Sequence, residues 1–295
     1  MNILNNKFSL LTFCLVCVLT SGLASANPDV TSREYKLMLK TSQFNYLSES
    51  SNVDALMQSA KLAIQTAIQR NVTGTPILVK NRDIHFFDTL SSCTLKSLGY
   101  SFRERIENGL SEVTLKYRSP DRYISDFENL SASTSSAKTK LESDIGANTS
   151  NNFKVLYSHS TTEKNTRTLN NIKDINKHFP GFASNYGLSN TLPLTLVGYT
   201  SIREHVYRNV MIDLGQFTAE ISVTLWYEGV PISSQAPLVA EISFKYADKS
   251  ASYTNKVVNR AQKSFVALRG LSAWIDPNSQ TKTAFLYSRF PGFCQ

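Results

Sequence analysis

Most of the chain alternates apolar and polar residues with a period of two, which is the pattern of β-strands with one buried face. Two further segments, residues 53–70 and 255–269, repeat apolar residues at helical spacing, and a shorter helix is predicted near 169–178. This pattern predicts an α+β domain built on a large, mostly antiparallel sheet or barrel with a few covering helices. The alternating segments are 33–40, 83–88, 100–107, 111–118, 153–158, 196–211, 218–228, 238–247 and 282–288.

Residues 1–26 have the features of a secretory signal peptide: Lys7, the apolar run "FSLLTFCLVCVLTSGL", and the small-residue cleavage pattern "ASA" at 24–26. We therefore expect a mature chain from Asn27, secreted or periplasmic. The apolar run is too short to favour a transmembrane anchor, with an uncleaved signal anchor as the alternative. Residues 27–295 are predicted to form a single domain, in which the small polar residues of 131–152 form a long loop between two halves.

The cysteine count and the net charge give further information on the compartment and on the kind of ligand. Cys93 and Cys294 remain after signal cleavage, so one disulfide is allowed by count in an oxidising compartment. Without Lys7 the chain holds 30 basic and 23 acidic residues, a net charge of +7 that attracts anions of any kind. Nucleic acid is not the favoured anion, because aromatic residues on alternating strands are typical of a core rather than of a base-stacking surface.

The alternation also sorts charges onto strand faces, because residues two apart share a face. Five separated strands each combine an apolar face with a face of cations and a few carboxylates. If the sheet closes, these charged faces would line one interior, where water or an anion must satisfy them. The charged faces carry Glu34, Lys36 and Lys40; Arg103 and Arg105; Lys116 and Arg118; Arg203 and His205; and Glu241 and Lys245.

The segment 84–116, "IHFFDTLSSCTLKSLGYSFRERIENGLSEVTLK", resembles the central signature of the CYTH superfamily, also called triphosphate tunnel metalloenzymes. The order of the matching residues carries the resemblance, since each pair alone is weak. A charged first strand, a helix and later Arg- and Glu-bearing strands extend the similarity over most of residues 33–270. The matching residues are Phe87, Asp88, Thr89, Leu95, Gly99, Arg103, Arg105, Thr114, Leu115 and Lys116.

The resemblance implies a closed tunnel of eight antiparallel strands that holds a triphosphate or polyphosphate-like anion with basic residues and Mg²⁺ or Mn²⁺ with Glu residues. It implies Arg103, Arg105, Lys116 and Arg203 as phosphate ligands, and Lys36, Lys40 and Lys245 are further candidate phosphate ligands on the charged faces. The candidate metal ligands are Glu34, Glu241 and Glu220. Members of the superfamily hydrolyse triphosphates, and some are adenylate cyclases.

The chain departs from this family at its carboxylates. The expected E-x-E-x-K opening is Glu34-x-Lys36-x-Met38 here, and a later E-x-E pattern is reduced to Glu241-x-Ser243. A Lys in place of a carboxylate adds charge for a phosphate and removes a metal ligand. Three hypotheses follow. The chain is a metal-dependent hydrolase of triphosphate or polyphosphate-type anions, or it is a non-catalytic binding protein for polyphosphate or an organic phosphate with an eroded metal site. In the third, it is a scaffold whose charged faces only contact solvent.

Overall fold

Eleven β-strands form one sheet among the residues that the computed structural model describes, which are 30, 32–147, 153–247, 253–278 and 280–295. The predicted signal peptide and the final part of the predicted loop, 148–152, lie outside these residues. The strands are Ser32–Met38 (β1), Val72–Thr73 (β2), Ile77–Asp88 (β3), Tyr100–Glu107 (β4), Leu110–Ser119 (β5), Lys138–Ala147 (β6), Phe153–Lys164 (β7), Thr195–Leu196 (β8), Ile202–Asp213 (β9), Thr218–Glu228 (β10) and Val239–Ala247 (β11).

The sheet closes into a barrel because β3 pairs with β9 as well as with β4. Nine strands form the ring, in the order β9-β10-β11-β1-β6-β7-β5-β4-β3, while the two-residue strands β2 and β8 lie outside it. The pairs are antiparallel except for β1 and β6, which run parallel with Ser32 opposite Glu142. The predicted closed α+β barrel is therefore confirmed, but the predicted eight antiparallel strands are corrected to nine in a mixed sheet.

The ninth strand comes from a segment that was predicted as a loop. Residues 131–152 contain β6, in which Ile145 packs with the apolar residues outside the barrel while Lys140, Glu142 and Asp144 line the interior. The segment lacks the apolar density of a strand because its inner face contacts other charged side chains and its outer face is partly Thr and Ser. A polar composition therefore concealed a strand that is buried between β1 and β7.

Seven helices surround the barrel in the described part of the chain. Helix α6 matches its predicted range, and α1 and α4 confirm the other two predicted helices. The segment 282–288, predicted as a strand, is helix α7, because Thr281 Oγ1 caps its first turn by accepting the Ala284 N–H at 3.1 Å. The helices are Glu49–Ile68 (α1), Thr94–Ser97 (α2), Arg122–Phe127 (α3), Ile172–His178 (α4), Pro180–Tyr186 (α5), Asn255–Arg269 (α6) and Lys282–Arg289 (α7).

Two apolar clusters cover the outside of the barrel. Helices α1 and α6 pack on the outer faces of β1, β9, β10 and β11, where Val53, Phe244 and Phe265 are buried. Helices α4 and α5 cover β4 and β5, with Phe102 and Phe182 in the contact. Because the apolar face of each strand is covered by helices, the charged face is left to line the interior. None of the helices in the described residues is both long and apolar enough to cross a membrane.

A third cluster fills one end of the barrel interior. Leu286 and Tyr287 of α7 pack there with Met38, Phe86 and Trp226, which lie on inward faces of β1, β3 and β10. A Cys93–Cys294 disulfide, which the cysteine count allowed, links the segment after α7 to the turn after β3. Helix α7 is thereby fixed across this end of the barrel.

Candidate functional site

The barrel interior holds a cavity of about 290 Å³, called here the basic cavity, near the lower end of the roughly 300–1,000 Å³ typical of ligand pockets. Ten cationic and four carboxylate side chains line it, and two adjoining carboxylates, Asp144 and Glu241, contact four of the cations, so cations exceed carboxylates by four. Such an excess in an enclosed space attracts a multivalent anion. The cations are Lys36, Arg82, Arg103, Arg105, Lys116, Arg118, Lys140, Arg208, Lys245 and Lys282, and the carboxylates are Glu34, Glu142, Glu204 and Glu220.

The β4–β5 hairpin supplies four of these cations. Asn108 and Gly109 form its turn with φ of 51° and 75°, and Asn and Gly are the residues that best tolerate positive φ in a two-residue hairpin turn. The resulting register places Arg103 opposite Thr114 and Ser101 opposite Lys116. Arg103, Arg105, Lys116 and Arg118 therefore share the inner face, as the alternation predicted.

On the opposite wall, β10, β11 and β1 lie side by side and build the cavity in rows. Each row combines one residue from each strand, because the three strands are paired in register on their inward faces. The rows mix cations and carboxylates with small hydroxyl residues, so Lys36 and Lys245 are never adjacent to another cation within a row. The rows are Glu220–Lys245–Glu34, Ser222–Ser243–Lys36 and Thr224–Glu241–Met38.

Several cations in the cavity hold unused hydrogen-bond donors. The Nε atoms of Arg103, Arg105, Arg118 and Arg208 are buried and have no hydrogen-bond acceptor within the protein. Burial, together with the neighbouring Arg105, lowers the pKa of Arg103 well below its usual value. Burial also lowers the pKa of Arg105 to about 10, although Glu204 partly offsets the effect. Desolvated guanidinium groups with free donors are strong ligands for phosphate.

Asp144 of β6 organises the cations at the centre of the interior. Lys36 Nζ lies 3.1 Å from Asp144 Oδ1 and 3.0 Å from Glu34 Oε2, while Lys116 Nζ and Arg118 Nε each lie 3.7 Å from Asp144 Oδ2. Burial opposes the charge of Asp144, but the nearby cations, Lys116 foremost, outweigh it and lower the pKa of this carboxyl group. One carboxylate thus serves three cations and leaves them incompletely neutralised.

The surroundings of Lys116 only weakly support its charge. Burial lowers the pKa of Lys116 to about 7, Arg118 and Lys36 add to the effect, and Asp144 offsets only part of it. For Lys36 the balance is reversed: burial opposes its charge, but Asp144 and Glu34 outweigh burial and raise the pKa. A bound anion would therefore stabilise the charged form of Lys116 at neutral pH.

Glu204 of β9 holds the arginines on the other side. Its carboxylate lies 2.5 Å from Arg82 Nε and 3.9 Å from Arg105, and it accepts a 2.9 Å hydrogen bond from Trp226 Nε1. Burial raises the pKa of this carboxyl group, but Arg105 and Arg82 more than compensate and bring it to about 2. Glu204 is thus a fixed negative charge that positions Arg82 and Arg105.

A smaller pocket of about 80 Å³, called here the side pocket, adjoins the basic cavity and shares Lys36, Arg103, Arg118 and Lys282 with it. Its carboxylates are Asp144 and Glu241. Lys282, the first residue of α7, reaches Glu241 with Nζ 2.6 Å from Oε1. The C-terminal helix therefore contributes a cation to the same interior.

The structure brings five of the seven predicted phosphate ligands into the basic cavity: Lys36, Arg103, Arg105, Lys116 and Lys245. Whether they bind phosphate stays a prediction. The other two are not among its lining residues. Lys40 follows the end of β1, where its Nζ donates a 2.7 Å hydrogen bond to the carbonyl oxygen of Ser272.

Arg203 is a correction to the predicted face of β9. Its guanidinium contacts Asp83 at 3.1 Å and Asn81 at 3.1 Å, on the face opposite to Glu204. His205 shares that outer face and bonds to Glu49 of α1 at 2.8 Å. The alternation separated the two faces of β9 correctly, but the inward face carries Glu204, Val206 and Arg208 instead.

The three predicted metal ligands do not converge. Glu34 and Glu220 line the basic cavity and Glu241 lines the side pocket, and the described residues contain no group of three His, Cys, Asp or Glu side chains that could hold a metal ion. Each carboxylate already faces a cation: Glu34 faces Lys36 at 3.0 Å, Glu241 faces Lys282 at 2.6 Å, and Glu220 faces Arg208 at 4.0 Å. In this arrangement the three carboxylates do not form a preassembled ligand set for Mg²⁺ or Mn²⁺.

Sequence reasoning missed several charged residues of the interior. On β6 the signal was present, because Lys138, Lys140, Glu142 and Asp144 alternate with uncharged residues. Arg82 was missed because the predicted strand began one residue later. Lys282 gave no signal, since its role depends on where a helix packs. The missed residues that line the interior are Arg82, Lys140, Glu142, Asp144, Glu204, Arg208 and Lys282.

No protein-family model and no curated protein sequence matches the chain. Among solved structures, the chain is similar to a candidate adenylyl cyclase from Hippeastrum that is described as having a dominant triphosphatase activity. The two are 14% identical with a TM-score of 0.41, and the alignment covers 88% of this chain and 96% of the Hippeastrum chain. A candidate adenylate cyclase from Bacillus halodurans aligns at 13% identity with a TM-score of 0.39, over 88% of this chain and 98% of that one. At these TM-scores, the chemistry of the basic cavity has to be inferred from its own residues.

Proposed function

We propose that the basic cavity binds a triphosphate or polyphosphate-type anion. The observation that carries this proposal is the set of three buried guanidinium Nε donors, of Arg103, Arg105 and Arg208, which have no acceptor in the protein and belong to residues that line a cavity where cations outnumber carboxylates. Leaving buried donors unpaired costs about 1–3 kcal/mol each, more for charged groups. An anion with several phosphoryl oxygens would satisfy them and neutralise the excess charge.

The enclosure of the site favours a small polyanion over nucleic acid. The cations lie on the inner faces of a closed barrel, one end of which is filled by α7 and its apolar contacts. A linear phosphate chain can thread such an interior, whereas a duplex needs an open groove or surface. This agrees with the ligand class that the resemblance to the CYTH superfamily implies.

Binding is the activity that the geometry supports best, and metal-dependent hydrolysis is the second candidate. Hydrolysis is favoured by the resemblance of residues 84–116, and phosphoryl transfer by positioned cations is a known mode of catalysis. The donor set argues against the predicted Mg²⁺ or Mn²⁺ ligands, since Glu34, Glu220 and Glu241 each face a cation. Holding the anion requires no further group, whereas cutting it would require a metal or base in addition.

Titration calorimetry with tripolyphosphate tests the proposal on the wild-type chain and on Arg103→Met. Loss of one charge-assisted contact, worth about 1.5–3 kcal/mol, predicts an affinity roughly 10- to 100-fold lower for the variant. Arg203→Met is the matched control, because Arg203 carries the same charge on the outer face and should bind as the wild type does. Absence of binding to the wild type, or equal losses in both variants, would contradict the proposal. Phosphate release measured with Mg²⁺ or Mn²⁺ decides between binding and hydrolysis.

We also propose that the protein acts outside the cytoplasm, in the secreted or periplasmic location that residues 1–26 predict. The Cys93–Cys294 disulfide supports this, because disulfides persist in oxidising compartments. N-terminal sequencing of the exported protein checks the location, and a start near Asn27 is expected. Retention of residues 1–26 in a cytoplasmic product would contradict it.

A further inference from the structure

Helix α7 holds Lys282 in a fixed position at the barrel interior. The helix is anchored by buried Leu286 and Tyr287, and the Tyr287 hydroxyl donates a 2.8 Å hydrogen bond to Asp88. Asp88 in turn accepts the backbone N–H groups of Leu95 and Lys96 at 2.9 and 3.0 Å, so α7 is tied to the turn between β3 and β4. The position of Lys282 is therefore part of the folded architecture.

Lys282 lies between Glu241 and Trp226, where it neutralises the buried carboxylate. Its Nζ is 2.6 Å from Glu241, whose side chain is only 4% exposed, and 5.7 Å from the centre of the Trp226 ring. Its charge also contributes, after Arg105 and Arg82, to lowering the pKa of Glu204. A buried carboxylate such as Glu241 is costly unless a cation neutralises it, and the ammonium group does so here.

Lys282 also borders the anion site itself. It lines the basic cavity as well as the side pocket, together with Arg103. An ammonium group has three donors, and the bond to Glu241 uses one of them. The same side chain can therefore neutralise the carboxylate and contact an anion, which are the two tasks of a divalent metal placed between a carboxylate and a phosphate.

We infer that Lys282 replaces a divalent metal at Glu241, so that the basic cavity binds its polyphosphate-type anion without Mg²⁺ or Mn²⁺. This inference rests on the proposed function. It makes the C-terminal helix part of the binding site, and it explains why the carboxylates of the interior do not gather into a metal-binding group. Lys282 is a specificity-determining residue in this scheme, because it sets the requirement for metal.

The test is calorimetric titration of the full chain with tripolyphosphate, in EDTA and separately with millimolar Mn²⁺. The wild type should bind in EDTA, and Mn²⁺ should not raise its affinity, since Mn²⁺ also binds tripolyphosphate and lowers its charge. Lys282→Met should lose about tenfold in affinity in EDTA, the magnitude of one lost charged contact, and should recover part of it with Mn²⁺ because Glu241 becomes available. Lys282→Arg should behave as the wild type in EDTA. Lys263→Met, a charge removal on the exposed side of α6, is the control and should change nothing.

The outcomes separate the inference from the function on which it rests. If the wild type binds under neither condition, both are overturned. Binding only with Mn²⁺ would overturn the inference and leave polyanion binding intact. Equal affinity of Lys282→Met and wild type in EDTA would also overturn it, as would a weakened Lys282→Met that does not respond to Mn²⁺. If Lys282→Met does not fold, Lys282→Gln takes its place, and an affinity equal to that of the wild type in EDTA would refute the inference.

Discussion

The charge of Lys116 makes anion binding dependent on pH near neutrality. Its pKa is lowered to about 7 by burial and by Arg118 and Lys36, against the partial support of Asp144 and Glu142. If the anion binds the protonated form, the apparent affinity follows the protonated fraction, which falls from about 0.9 at pH 6 to about 0.1 at pH 8. We therefore expect the affinity for tripolyphosphate to be about tenfold lower at pH 8 than at pH 6, or about 1.4 kcal/mol.

Calorimetry in buffers of different ionisation enthalpy measures both the affinity and the number of protons taken up. At pH 8 nearly one proton per bound anion should be taken up, because binding restores the charge of Lys116. Lys116→Arg is the matched variant, since a guanidinium stays charged over this range. Its affinity should change less between pH 6 and pH 8, and any change that remains reports the titration of the ligand. Equal pH dependence of the wild type and Lys116→Arg would refute the reasoning.

Three further perturbations concern stability. Glu204→Gln should lower the free energy of unfolding by about 3 kcal/mol, because it leaves buried Arg82 without its carboxylate. Urea unfolding measures this loss, and an unchanged free energy of unfolding would contradict the role of the Arg82–Glu204 pair. Lys116→Met should raise the free energy of unfolding by about 1 kcal/mol or more below pH 7, because it removes a buried charge. This gain should disappear as pH rises towards 10.5, where the wild-type lysine is neutral in both the folded and the unfolded state. An equal gain at pH 6 and pH 10 would refute this. Replacing Cys93 and Cys294 by Ser should cost up to about 5 kcal/mol, since the bond closes a loop of 201 residues, and a melting temperature insensitive to reductant would argue against it.

The hairpin of β4 and β5 was predictable because all its information is local. Asn108 and Gly109 specify the turn, the period-two spacing of Arg103 and Arg105 places both on one face of the strand, and the turn fixes the register of the partner strand. Helix α6 was likewise predictable, from a period that extends over its whole length. Local patterns thus identified this hairpin, helix α6 and the largest group of cavity cations.

The inner face of β9 could not be predicted from its own residues. Its two faces, one with Arg203 and His205 and the other with Glu204 and Arg208, are about equally polar. The choice depends on partners distant in sequence: Glu49 of α1 satisfies His205 on the outside, while Arg82 of β3 pairs with Glu204 on the inside. Alternation separates the faces of a strand, but only tertiary contacts decide which one lines the cavity.

Lys282 and Asp144 show a second limit. Asp144 belongs to a strand whose composition resembles a loop, and that strand exists because β1 and β7 hold it on both sides. Lys282 enters the interior only because α7 packs across the end of the barrel. Only the folded structure identifies them as parts of the site, since there Asp144 contacts Lys36 and Lys282 contacts Glu241.

The two seams of the barrel have a consequence for how the chain reaches its folded state. One sheet, β3 to β7, spans residues 77–164, and the other combines β9 to β11 with β1, so the ring closes only when β1 meets β6 and β3 meets β9. Contacts this distant in sequence form slowly. Each seam is joined by an ion pair, Lys36–Asp144 between β1 and β6 and Arg82–Glu204 between β3 and β9. The attraction between these opposite charges therefore favours the final closure and helps to fix the register in which the two sheets meet.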